Sequence, residues 1–353
     1  MRRTLLLLLI AIFASIMIVS TSGKLMRQVT QYRTSTTSAL GSEKYRYGDL
    51  YGLSYLPGFK IENDFLASGV PPDSCPVKRF INLYVAGDSY LGDAFVESDS
   101  IFCSVKSYWY LKTNSSDIKH VRLATGETNI LLIEVVERDL RSFSDTDYIM
   151  GKMLMDDSIH GQSKMTVGRF SSLVFQALSN PSINQNIEFN MFDYKIFTPV
   201  KEMKASLNWN VFGRVNDDVL ISPDGKYLLY RQTIDSTSKN GSFTPMSDKE
   251  LNNLVRSLNT FYAYYKSKGF DDVLFSVIPN PVTILYPHMG RYNEMIPRVQ
   301  QHPDLKIPII DIYDLFKNTN MQIYFTSDTH WNMNGFHIWL NEFNKKLMTY
   351  HEK

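Results

Sequence analysis

Only two cysteines occur in 353 residues, and no Cys/His cluster has the spacing of zinc ligands, so a zinc-stapled fold is excluded. A surplus of charge of either sign is also missing. Lys+Arg number 37 against 36 Asp+Glu, for a formal net charge of +1. A nucleic-acid binder needs a basic excess to displace counterions, so no nucleic-acid partner is expected. No internal repeat is present, which excludes a solenoid, and there is no long low-complexity tract. What remains is ordinary globular usage, with 44% apolar and 21% charged residues, enough to offset ordering entropy and exclude disorder as the dominant state. The length allows one large domain or two modest ones. Aromatics at 13% lean toward strands and sugar-stacking surfaces, although Tyr and Phe more often fill cores.

The long apolar run lies at the N-terminus. Arg2 and Arg3 precede an uncharged stretch from Leu5 to Val19, and polar residues then lead to Lys24. A basic start followed by an apolar run marks a signal peptide or signal anchor over residues 1–23. The run is short of the ~20 residues that usually span a bilayer, and Ser20-Thr21-Ser22 extends it through the interface. A small-x-small cleavage site at Ser20/Ser22 is poor, so an uncleaved anchor in the inner or cytoplasmic membrane is favoured over a removed signal. No lipidation cysteine directly follows the run, which argues against a lipoprotein. Both readings place the bulk of the chain outside the cytoplasm, on the periplasmic or cell-surface side. Cys75 and Cys103 suit that compartment, either as one disulfide or as two buried thiols; spacing alone does not bring their Cα atoms together.

Beyond the anchor, residues 24–78 read as a Ser/Thr-rich stalk (Lys24 to Leu40) and an irregular aromatic strap (Tyr45 to Lys60), with a loop at Pro71, Pro72 and Pro76. Residues 79–350 then follow an α/β rhythm. Phe80 to Ala86, Asn129 to Val136, Asp272 to Ile278 and the shorter Lys306 to Ile312 are apolar runs of the length of parallel strands covered on both faces. Ser247 and Glu250 form an S-x-x-E capping box before Leu251, Leu254, Val255, Leu258, Phe261, Tyr262 and Tyr265, and Gly269 is the stop. A last helix is expected from about Asn332 to Asn334 onward, burying Phe336, Trp339, Leu340, Phe343 and Leu347. Residues from about 150 to 246 break the rhythm and read as a helix followed by a β-containing insertion, with a hairpin turning at Pro223-Asp224-Gly225.

Two motifs carry the chemistry. Gly87-Asp88-Ser89 ends a predicted strand, and Asp328-Thr329-His330-Trp331-Asn332 precedes the last helix. In an open parallel sheet, sites form at the carboxyl ends of strands. A Ser on that turn exposes its Oγ and leaves its backbone N–H free for an oxyanion. The hydroxyl needs a base, which His330 can supply through Nε2, while Asp328 fixes the tautomer through Nδ1–H and Trp331 holds the loop. Singly, each motif also reads as a turn with a helix cap. Together, their position, order and strand context agree. His120, His160, His288, His302, His337 and His351 lack a comparable acidic partner.

With Ser near the front and Asp-x-His near the end, the chain resembles the SGNH (GDSL-type) hydrolase superfamily. The string Asp328 to Gly335, D-T-H-W-N-x-x-G, is similar to the SGNH-like domain of bacterial polysaccharide O-acetyltransferases of the alginate AlgJ/AlgX type. Val136-Glu137-Arg138, Pro279-Asn280 and Tyr292-Asn293 are similar to features of its membrane-anchored members. The resemblance implies a three-layer α/β/α fold around a central parallel sheet and a Ser89–His330–Asp328 triad. In the alginate enzymes the Asp-x-His pair precedes the Ser; here Ser89 comes first, so the alginate substrate is not carried over. The superfamily's Gly block has no match, and Pro279-Asn280 stands where Gly-x-Asn-Asp is usual.

Candidate oxyanion or substrate residues are therefore Gly87, Asn280, Arg138, Tyr292 and Asn293, with Trp331 and Asn332 supporting the loop. For Asn280 a turn role, and for Arg138 a salt bridge to Glu137 or Asp139, are the alternatives. No metal and no cofactor are expected. Such a triad implies acyl transfer through a covalent ester. The resemblance implies an O-acetyltransferase acting on a cell-surface or exported polysaccharide, supplied with acyl groups by a membrane-bound O-acyltransferase of the MBOAT kind. A carbohydrate or lipid acetylesterase and a non-catalytic glycan-binding subunit are the alternatives.

Overall fold

The computed structural model describes residues 2–36, 38–63, 75, 78–92, 95–96, 98–113, 118–155 and 183–351. The predicted loop at Pro71, Pro72 and Pro76 lies outside them, as do residues 156–182 of the expected insertion. The described residues form two compact units, one drawn from 2–62 and 183–219, the other from 63–155 and 220–351.

In the first unit, Arg2–Thr21 is a single helix (α1) whose apolar side chains from Leu5 to Phe13 are exposed. Residues Arg3–Thr21 are long and apolar enough to cross a membrane. The segment read as a stalk contains a second helix, α2 (Gly23–Ser35), capped by Ser22, whose Oγ accepts the Leu25 N–H at 3.4 Å. Arg33 explains why this polar stretch is ordered. Its guanidinium is buried, donates to the Phe189 carbonyl at 2.8 Å and to the Asp193 carbonyl, and lies over the Phe189 and Tyr194 rings. The strap also holds local structure, a helical turn at Asp49–Ser54 and a 3₁₀ turn at Pro57–Phe59, with Tyr51 fully buried. The described residues of the unit also form α3 (Ile183–Phe192) and α4 (Thr198–Phe212), the latter ended by Gly213 in the left-handed region.

The second unit is built on a five-stranded, all-parallel sheet. Its strands are β1 (Ile81–Gly87), β2 (Val105–Lys112), β3 (Thr128–Val136), β4 (Asp272–Ile278) and β5 (Ile309–Ile310), in the order β2-β1-β3-β4-β5. Every residue of β1 and β3 is buried, as continuous apolar runs in a doubly covered sheet require. The expected 306–312 strand shrinks to two residues because Pro308 has no N–H to give the ladder. One sheet face carries Leu83, Val85, Leu132 and Leu274 against α6 (Met333–Leu347), through Phe336, Trp339 and Phe343. The other carries Tyr84, Ile133, Val135 and Phe275 against α5 (Asp248–Ser267), through Leu254, Leu258 and Phe261.

The helix ends follow from their residues. Ser247 and Glu250 close a reciprocal capping box on α5, and Gly269 (φ 104°) ends it. On α6, the Asn332 side chain accepts from the N–H groups of Asn334 and Gly335. The hairpin predicted around Pro223-Asp224-Gly225 forms, pairing Val219–Ile221 with Leu228–Tyr230, with Gly225 at φ 73°. Cys75 and Cys103 are joined in a disulfide with Cα atoms 5.1 Å apart.

Candidate active site

In this strand order the chain leaves β1 toward one edge and returns through β3 on the other side, so a crevice opens between the carboxyl ends of β1 and β3. Gly87-Asp88-Ser89 leaves β1 at that point, and Glu137-Arg138 leaves β3. The Asp88 carboxylate pins the turn. Its Oδ1 accepts the Tyr90 N–H and its Oδ2 accepts the Val136 N–H, both at 2.9 Å. The Ser89 N–H has no acceptor among the described residues. It is a donor left free at the place where an oxyanion would form.

The Asp328-Thr329-His330 loop reaches the same point from the other end of the chain. Ser89 Oγ lies 2.7 Å from His330 Nε2, and His330 Nδ1 lies 2.5 Å from Asp328 Oδ1. Asp328 is buried and also accepts the His330 backbone N–H at 2.8 Å. An acceptor carboxylate on Nδ1 assigns the ring proton there and leaves Nε2 to take the Ser89 proton. The loop is held from below. The Tyr90 hydroxyl donates to the Thr329 carbonyl, and the Tyr90 ring lies 4.6 Å from that of His330. Trp331 is fully buried and packs edge-on against Tyr90 and Phe316. Asn332 caps α6 and donates to the Gln322 carbonyl, anchoring the loop's far end.

The remaining sequence candidates divide into two groups. Gly87 and Arg138 belong to the crevice. Gly87 gives close approach to Glu134, a fully buried carboxyl on β3 whose Oε2 accepts the Asp88 N–H at 2.9 Å. Burial and the Asp88 charge push the Glu134 titration well above the usual carboxyl range. The Arg138 guanidinium lies over the Tyr90 ring, 5.8 Å from its centroid, and its Nη1 is buried without a hydrogen bond. Burial disfavours its charge, but Tyr90, Asp139 and Asp88 outweigh that and raise its pKa.

Asn280 and Tyr292 instead join a buried network around Glu137, and Asn293 lies beside it. Asn280 is fully buried; its N–H donates to Glu137 Oε2 at 2.8 Å and its side-chain amide to Ser242 Oγ at 3.0 Å, with no bond to Ser89 or His330. Thr283 Oγ1 donates to the same Glu137 oxygen at 2.6 Å. The Tyr292 hydroxyl is raised in pKa by burial and by the Glu137 charge, and its ring stacks on Tyr313. Asn293 donates to the Gly241 and Thr244 carbonyls, tying its loop to the 241–244 turn. Burial pushes Glu137 up to about 6, against the bonds from Thr283 and Asn280. Sequence reasoning missed Glu134 and the support from Asp88 and Tyr90. The one available signal for Glu134 was an acid inside an otherwise apolar strand.

The assembled groups make a nucleophile, a base, an orienting acid and one free N–H donor, which is the equipment of acyl transfer. Comparison of the chain with protein-family models, curated proteins and solved structures gave no match.

Proposed function

We propose that the protein is a membrane-anchored, extracytoplasmic O-acetyltransferase that loads an acyl group on Ser89 and passes it to a hydroxyl of a cell-surface or exported polysaccharide. One observation carries the reading: the unbroken hydrogen-bond chain from Ser89 Oγ through the His330 ring to Asp328 at a strand's carboxyl end. Ser89 Oγ attacks the carbonyl carbon of a donor ester and gives its proton to His330 Nε2. The Ser89 N–H receives the oxyanion. Collapse expels the donor alkoxide, which takes the proton from His330, and leaves an acyl-Ser89 ester. His330 then takes the proton of an acceptor hydroxyl as its oxygen attacks the ester, and Ser89 leaves with that proton.

Transfer to sugar rather than to water is favoured by the resemblance of the Asp328 to Gly335 string to polysaccharide O-acetyltransferases. Export is supported by the apolar α1 and by the Cys75–Cys103 disulfide, which suits an oxidising compartment. Outside the cytoplasm there is no acetyl-CoA pool, so the donor is an acyl group handed over by a membrane-bound O-acyltransferase of the MBOAT kind. An anchored site holds Ser89 at high effective concentration beside such a partner.

The test is mass spectrometry of the intact protein after incubation with an activated acetyl ester, with and without glycan acceptors. The expected result is an acetyl adduct on Ser89 that an acceptor glycan discharges into O-acetyl sugar. Discharge to free acetate alone identifies an esterase. No adduct on the wild-type chain leaves a glycan-binding role and overturns catalysis.

A further inference from the structure

α4 carries an apolar surface that the described residues of its own unit do not cover. Thr198 is its only buried residue. Val200, Met203, Leu207 and Val211, spaced three, four and four apart in a pattern that keeps them on one helix face, are 56–68% exposed, and Phe192, Ile196 and Phe197 just before the helix are exposed too. A soluble surface rarely leaves so long an apolar stripe in water.

Three observations indicate what covers it. First, the same unit contains α1, apolar and of membrane-crossing length. Second, the exit end of α1 is fixed to the segment leading into α4. Ser20 is fully buried, its carbonyl accepts from Asn186 Nδ2 at 2.9 Å, and its Oγ accepts from Asn190 Nδ2 at 3.0 Å. α4 begins eight residues after Asn190, so its start is held at the level where α1 leaves the bilayer. Third, the charge left exposed on α4 is positive. Its single acid, Glu202, is taken by the Tyr51 hydroxyl and by Lys60 at 2.9 Å, whereas Lys204 beside the stripe and Arg214 just beyond the helix are exposed.

We propose that α4 lies in the interfacial layer of the membrane that α1 enters, with Val200, Met203, Leu207 and Val211 among the acyl chains and Lys204 at anionic headgroups. A helix of 15 residues, about 22 Å long, with a continuous apolar stripe is of a size to lie in that plane. The anchored unit then meets the bilayer through two elements, one crossing and one lying flat, which fixes its orientation where a lone span would leave it free to swivel. The inference is independent of the chemistry at Ser89.

The test places a fluorophore on single cysteines introduced by Met203→Cys, Leu207→Cys or Ala205→Cys in the chain; the native cysteines stay bonded to each other. Each variant is put into nanodiscs holding one copy, made of phosphatidylethanolamine and phosphatidylglycerol with or without brominated acyl chains. Bromolipid should quench the labels at 203 and 207 and leave the label at 205, on the opposite side of the helix, unquenched. Labels at 203 and 207 that stay unquenched overturn the proposal. So does quenching equal at all three positions, or protection of 203 and 207 that requires a second copy or an added membrane protein.

Discussion

Gly87 and Glu134 are in such close contact that a Cβ built on Gly87 would sit 2.7 Å from Glu134 Oε2. Glu134 is fully buried and engaged by the Asp88 N–H, so its carboxyl has no room to move without releasing the turn that carries Ser89. Gly87→Ala is therefore expected to lose about 1–3 kcal/mol of stability by overpacking, together with most of the Ser89 reactivity. Shortening the neighbour relieves the clash. The Gly87→Ala/Glu134→Ala pair should lose less stability than the two single changes added together, measured by urea denaturation. Strict additivity would show that the contact does not govern the turn.

The triad variants separate roles. Ser89→Ala and His330→Ala should each reduce acyl-transfer rate by on the order of 10⁴ or more, and combining them should add little, because the residues act as one unit. Asp328→Asn keeps the shape but offers His330 the wrong partner, and should cost on the order of 10⁴. In the wild type the rate should fall in acid, because a protonated imidazole cannot act as a base. Stopped-flow acylation with a chromogenic acetyl ester reads all of these, and a rate flat from neutral pH into acid would remove His330 from the base role.

Glu137 gives a pH signature of stability rather than rate. Burial raises its pKa in the folded protein to about 6, from an ordinary 4.5. The folded state thus holds the proton more tightly than the unfolded chain does. The stability linked to this group is fully present below about 4.5 and is lost as pH rises through about 6, a change of roughly 2 kcal/mol. Glu137→Gln removes that dependence. The variant's unfolding free energy, relative to wild type, should improve by about that amount between pH 4.5 and pH 6. An unchanged difference across the window would refute the shifted titration.

The disulfide closes a loop over a sequence separation of 28 residues, and Cys103 N–H is bonded to Asn344 Oδ1 on α6 at 2.8 Å. Loop-closure entropy sets its contribution at ~3.5 kcal/mol. Cys75→Ser with Cys103→Ser should lower the urea midpoint accordingly, and a reductant should do the same to the wild type but not to the variant.

Much of this unit was legible from residue order alone. β3 and β4 are apolar runs bounded by polar residues, and the parallel sheet buries such runs on both faces. The α5 capping box and the Asn332 cap are local interactions, so sequence spacing suffices to find them. Ser89, His330 and Asp328 were legible because a strand end and a helix start place them without knowledge of distant contacts. β2 was not legible. It is an edge strand, and exposed Lys106, Ser107 and Lys112 break its apolar pattern. Glu137 resembles a strand-ending acid and Glu134 interrupts an apolar run, and only the fold shows both of them buried. The Lys24 to Leu40 segment looked like a stalk because the partners of Arg33 are carbonyls more than 150 residues away.

Ser89 and His330 are 241 residues apart in sequence. Residue 89 gains its imidazole neighbour only when a loop synthesised 241 residues later folds back onto the end of β1, so this contact forms after the sheet strands have been made and reports that the unit has closed around them.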